Sequence, residues 1–167
     1  MKIAIGCDHG GYLLKQDILI WLEEHDYEFE DFGCYNTESV DYPVYAEKVA
    51  RAVASGACDK GIVICTTGIG VSMAANKVKG IRCALCGDSY SAEMTRRHND
   101  ANVLAMGAGA ASKRLFDRQG FIRRAFNVSD IRQYISRVDE MAQRKRDLFL
   151  GGNAPASCKS ENVPENA

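Results

Sequence analysis

Four short stretches of the chain hold side chains able to bind or move protons. They are Asp8 and His9 in "GCDHGG", Tyr42 in "ESVDYP", Cys65 and Thr67 in "ICTTGIGVSMAANK", and His98 and Asn99 in "RRHNDAN". Cys65 closes an apolar run and precedes a glycine-punctuated turn into a helical stretch. A thiol beside helix N–H groups is biased toward the thiolate, the form that acts as base or nucleophile. The plainer reading is a buried inert thiol ahead of a tight strand-to-helix turn, since free cysteine is among the most buried residue types. "TTGIGVS" would let backbone N–H groups from Gly68 to Ser72, including those of Gly70 and Val71, surround an anion at the positive end of a helix. It has neither the lysine of a Walker A loop nor the full GxGxxG spacing of a dinucleotide site. Asp8 and His9 are two titratable groups directly after the first apolar segment, and such a pairing favours a site over a simple polar turn. No HExxH or comparable cluster occurs, so neither a metal nor a cofactor is implied.

The elements that must position these groups follow from periodicity. "KIAIGCD", "YEFEDFG", "KGIVIC", "IRCALCGD" and "ANVLAMGAG" read as strands. "GYLLKQDILIWLEEH", "YPVYAEKVARAVASG", "GVSMAANKV" and "SAEMTRRHN" read as helices, the second beginning near Pro43 and closed by Gly56. Strands alternating with helices predict an α/β fold, a parallel sheet covered on both faces, with ligands at the carboxyl ends of its strands. Asp8, His9, Cys65 and Asp88 all fall at such ends. A basic amphipathic region from about 112 to 150 reads as two further helices. The expected organisation is one domain over 1–150 and a small, polar, disordered tail over 151–167.

Bulk composition excludes several classes. The formal net charge is −1, so nothing global recommends nucleic acid or an anionic membrane as partner. From Lys113 to Arg146 there are ten Lys and Arg against four Asp and Glu, a local basic face suited to a small anion. No apolar run approaches the roughly 20 residues of a membrane span, and the amino terminus has no long apolar core of a signal peptide, so a cytoplasmic location is expected. Seven cysteines form neither a complete disulfide framework nor a four-cysteine zinc pattern, and reduced thiols are expected. Cys83 and Cys86 should point to opposite faces of their strand.

Taken together and in order, "GCDHGG", "ESVDYP", "ICTTGIGVSMAANK", "GIRCAL" and "RRHNDANVLAMGA" resemble the ribose-5-phosphate isomerase B family, which also contains galactose-6-phosphate isomerase subunits. The resemblance covers roughly residues 1 to 108. It implies a three-layer Rossmann-like sandwich whose C-terminal helices extend to a neighbouring subunit, in a homodimer or homotetramer with active sites at the subunit interface. It also implies metal-independent interconversion of aldose and ketose phosphates through a cis-enediolate. By resemblance Cys65 is the catalytic base, and Thr67 and His98 open the sugar ring. Asp8 and Tyr42 contact substrate hydroxyls, His9 the phosphate, and Asn99 the reacting oxygens. Gly68, Gly70, Val71 and Ser72 would offer backbone N–H groups to the enediolate, a charge that needs preorganised donors.

The chain also departs from the family. Thr66 stands where members usually carry glycine, Gly87 replaces a usual histidine, and Gly109 stands where an arginine commonly binds phosphate. Arg137 fits the second arginine of a later phosphate-binding pattern, while Arg132 is displaced by one residue and the accompanying histidine is missing. These changes spare the proton-transfer residues and fall at the substrate's far end. Ribose 5-phosphate is thus the expected substrate. The alternatives are a different sugar, such as a hexose or tetrose phosphate or an unphosphorylated aldose, or a non-catalytic sugar-phosphate-binding module.

Overall fold

The computed structural model describes residues 1–109 together with Ile122 and Ala125, all within the compact unit Met1–Ile131. The expected C-terminal helices and tail lie outside the described residues. Five strands, β1 (Lys2–Cys7), β2 (Glu28–Asp31), β3 (Lys60–Cys65), β4 (Cys83–Leu85) and β5 (Val103–Gly107), alternate with four helices, α1 (Tyr12–Glu24), α2 (Tyr42–Ala54), α3 (Ile69–Ala75) and α4 (Ser89–Asn99). The strands form one sheet in the order β2-β1-β3-β5-β4, and every pairing is parallel. This is the α/β parallel-sheet architecture that the alternation predicted, and the Rossmann-like arrangement that the resemblance implied. The strand written as "IRCALCGD" is shorter than its apolar pattern, with three residues in the ladder.

Side-chain alternation along the strands divides the core in two. Ile3, Ile5, Ile62, Ile64, Leu104 and Met106 face α1, with Leu14, Ile18 and Leu22 packed against them. Ala4, Val63, Val103 and Ala105 face α2 and α3, where Val49, Val53, Val71 and Ala75 meet them. Cys86 belongs to the first layer and Cys83 packs on the second, so the two thiols do lie on opposite sides. Each fully buried Ile or Leu contributes about 1.5–3 kcal/mol relative to an exposed position.

A cation breaks the apolar pattern of α1. Lys15 lies on the buried face of α1 and is completely enclosed. Its Nζ donates to both carboxylate oxygens of Asp31 at 2.7 Å and to the Cys34 carbonyl at 2.7 Å. Asp31 in turn accepts the Gly33 N–H at 2.9 Å. The ammonium therefore ties α1 to the turn that follows β2. Lys15→Met removes the cation and leaves the Asp31 carboxylate beneath α1 without its charge partner, a loss of about 3–5 kcal/mol. A change below about 1 kcal/mol in urea unfolding would show that water serves Asp31 as well as Lys15 does.

Candidate active site

The chain leaves β1 toward β2 on one side and returns to build β3, β5 and β4 on the other. Strand order reverses between β1 and β3, and in open parallel sheets the crevice outside the carboxyl ends of the strands at such a point takes the ligand. The register pairs Cys7 with Ile64, and the Asp8 N–H donates to the Ile64 carbonyl at 3.0 Å. Asp8 and Cys65 are thereby brought to adjacent strand ends. Ala108, just past β5, joins them by donating its N–H to the Cys65 carbonyl at 2.8 Å.

Asp8 is buried and caps the single 3-10 turn His9–Gly11, its Oδ1 accepting the Gly11 N–H at 3.0 Å. His9 stands half-buried on that turn, and its Nδ1 lies 3.2 Å from the Val40 N–H. The next residue pair meets the third loop, because a Cβ at Gly10 would collide with Thr66 Oγ1. Thr66 thus turns its hydroxyl toward the first loop, and its carbonyl lies 3.8 Å from where Gly109 would carry a Cβ.

The Cys65 turn is closed by its own sulfur. The Gly68 N–H donates to Cys65 Sγ at 3.0 Å, and Gly68 adopts φ +78°, the left-handed conformation that glycine takes without a Cβ penalty. Thr67 is exposed and its Oγ1 accepts the Ile69 N–H at 3.3 Å. Ser72 uses both its polar groups inside α3, the N–H to the Gly68 carbonyl at 3.2 Å and Oγ to the Ile69 carbonyl at 2.7 Å. The Tyr42 ring lies over Gly70, where an added Cβ would come 2.8 Å from Cζ. Asp8, His9, Tyr42, Cys65, Thr67, Gly68, Gly70, Val71 and Ser72 therefore occupy one end of the sheet.

His98 and Asn99 do not join them. α4 begins at Asp88, beyond the carboxyl end of β4, and runs back along the sheet. At its far end the Asn99 carbonyl accepts Arg82 Nε at 3.1 Å, just before β4 starts. Nearby, the Asn102 carbonyl accepts the Gly61 N–H at 2.9 Å, at the beginning of β3. Four residue steps of strand separate Gly61 from Cys65, about 13 Å at 3.3 Å per residue. Asp88 is a cap, its two oxygens taking the Ser91 N–H at 2.8 Å and Oγ at 2.7 Å, bonds that hold its carboxyl below the usual range. Arg132 and Arg137 lie outside the described residues. Among the described residues no three His, Cys, Asp or Glu gather as a metal site would require, and no helix is long and apolar enough to cross a membrane.

The fold and this crevice define a class, the α/β proteins that bind small ligands at a switch point of a parallel sheet. A family model described as Ribose/Galactose Isomerase matches residues 3–140, most of the chain. The chain is 53% identical over 107 residues to ribose-5-phosphate isomerase B of Escherichia coli (strain K12), covering 64% of this chain and 72% of that protein. The solved ribose-5-phosphate isomerase B of Clostridium thermocellum superposes with a TM-score of 0.77 at 46% identity, over 87% of this chain and 99% of its own. That of Mycoplasma genitalium, solved with bound ribulose-5-phosphate, superposes with a TM-score of 0.74 at 32% identity, over 87% of this chain and 97% of its own. The chain belongs to the Ribose/Galactose Isomerase family and is an aldose–ketose isomerase.

Burial acts on several thiols of the described region. It pushes Cys7 and Cys83 up to about 12 and Cys86 up to about 11, where they stay protonated and unreactive. Cys65 is no more open than Cys86, 6% against 5% exposed, but its sulfur faces an N–H donor at the crevice. At neutral pH, iodoacetamide should therefore modify Cys65 at least about tenfold faster than Cys7, Cys83 or Cys86. Peptide mapping reads the order, and equal rates would contradict the distinction.

Proposed function

We propose that the chain interconverts ribose 5-phosphate and ribulose 5-phosphate. The observation that carries this reading is the Cys65 sulfur at the switch-point crevice, receiving the Gly68 N–H and bordered by Asp8 and Tyr42. Cys65 as thiolate takes the proton from C2 of the open-chain aldose. Electrons of that C–H bond form the C1–C2 double bond, and the carbonyl oxygen becomes the enediolate oxyanion. The O2 proton passes to O1, the proton held on Cys65 is returned to C1, and the C2 oxygen becomes the ketose carbonyl, which restores the thiolate. A general base of this kind is worth about 10²–10⁴ in rate.

The enediolate needs donors fixed before reaction. The first turn of α3 supplies them in part, because the Gly70 and Val71 N–H groups precede the first helical hydrogen bond, which Ser72 makes. Gly68 and Ser72 act by shaping that turn. Thr67 assists ring opening, Asp8 and Tyr42 hold sugar hydroxyls, His9 holds the phosphate, and Arg132 and Arg137 are the phosphate cations of the C-terminal region.

His98, which assists ring opening, and Asn99, which holds the reacting oxygens, would come from a second copy. Their place at the far end of α4, beside the edge of the sheet opposite Cys65 in the same chain, supports this. So does the rim of exposed apolar side chains around the crevice, Ile69, Met73, Leu85, Val44 and Tyr90. A homodimer or homotetramer with sites between subunits follows.

Two measurements test the reading. Cys65→Ala should lower turnover of ribose 5-phosphate about 10²–10⁴-fold, and an equal rate in wild type and variant would eliminate the base. Cys65→Ala and His98→Ala, each inactive alone, should recover about a quarter of wild-type activity when co-refolded as a symmetric dimer, since half the dimers are mixed and each holds one intact site. No recovery would place both residues in one subunit's site. A sugar panel with and without phosphate reads the effect of Thr66 and Gly109, and preference for another sugar would replace ribose 5-phosphate as substrate.

A further inference from the structure

The loop between β2 and α2 is tied to the end of β1 where Gly33 and Cys34 exchange backbone hydrogen bonds with Cys7, and it reaches the turn beyond that strand through the Val40 N–H. The Val40 N–H lies 3.2 Å from His9 Nδ1. A backbone N–H can only donate, so Nδ1 must offer its lone pair, and in neutral imidazole the proton then resides on Nε2. Most histidine tautomers are assigned by choosing among rotatable partners. Here the partner has no second role to play.

The loop that carries Val40 is itself held. Lys15 Nζ donates to the Cys34 carbonyl at 2.7 Å and to Asp31 at 2.7 Å, and Tyr35 Oη donates to the Asp31 carbonyl at 3.0 Å. Six residues further on, the chain meets His9 and then enters α2 at Tyr42, whose ring covers Gly70. His9 Nε2, on the opposite side of the ring from Val40, has no hydrogen-bond partner among the described residues.

We infer that Val40 is a positioning residue. Its N–H locks His9 in the Nε2–H tautomer, so that His9 meets an anionic oxygen of the substrate as a fixed hydrogen-bond donor and takes no part as a base. The identity of that anion rests on the isomerase reading above; the tautomer lock does not. A fixed donor to a phosphoryl oxygen contributes to binding equally before and during proton transfer, so it is read in KM rather than kcat.

Two experiments decide it. In ¹⁵N-labelled wild-type protein in alkaline buffer, where imidazole is neutral, His9 should show a protonated Nε2 and an unprotonated Nδ1. A spectrum with the proton on Nδ1, or a mixture of both forms, overturns the inference. For the second, Asn at position 9 places its carboxamide where Nδ1 stood and can keep the Val40 bond without a donor at Nε2. Gln places its amide N–H near Nε2 and loses that bond. His9→Asn should raise KM for ribose 5-phosphate about 10–100-fold, the value of a hydrogen bond to a charged group, and His9→Gln by less than about tenfold, with kcat little changed in both. Equal rises in the two, or a loss confined to kcat, would also overturn the donor role. Wild-type protein that fails to turn over ribose 5-phosphate sinks the ribose 5-phosphate reading and leaves the spectrum to judge the lock by itself. The spectrum needs no variant to fold.

Discussion

The parallel pairing of β1 with β3 is the constraint on which the site depends. Cys7 opposite Ile64 puts the residues that follow each strand at the same height, and the Asp8 N–H bonded to the Ile64 carbonyl carries the pairing one residue beyond the ladder. A slip of one residue would turn Cys65 from the α2 and α3 face to the α1 face. The buried alternation Ile3, Ile5 against Ala4 on one strand and Ile62, Ile64 against Val63 on the other makes that slip costly. Core packing thus fixes which of the possible registers the strand hydrogen bonds adopt, and with it which thiol meets the turn of α3.

Low dielectric acts on the cysteines in two directions. Around Cys7, Cys83 and Cys86 it stabilises the uncharged thiol, and their removal from water is the largest cause of the upward shift in each. Beside Cys65 the same exclusion of water strengthens the one donor aimed at sulfur. The chain therefore carries several thiols in its core without several reactive groups.

Much of this was legible in the sequence. Period-two and period-3.6 patterning gave the five strands and four helices, and the parallel sheet placed Asp8, His9 and Cys65 at carboxyl ends. The extent of β4 was not legible, because the apolar run "IRCALC" continues past the point where hydrogen bonding to β5 stops. Lys15 was missed as well. It sits three and seven residues before Ile18 and Leu22 on one helical stripe, and a lone cation there calls for a carboxylate, which Asp31 at the end of β2 provides. Val40 could not be found by residue type, since its part is played by a backbone N–H that every residue but proline possesses. The separation of His98 from Cys65 follows from the direction of α4, which the alternation implied, while its catalytic role came by resemblance alone.

The contact between Gly10 and Thr66 has a wider meaning. The two positions belong to different loops and share one volume: the threonine fills the space a side chain at position 10 would need. Bulk at position 10 therefore excludes the threonine hydroxyl at position 66 as it stands, while a bare position 10 leaves room for it. Thr66, which in the sequence stands out as an intrusion into a glycine turn, is in three dimensions one half of a compensated pair whose other half is the bare backbone of the first loop.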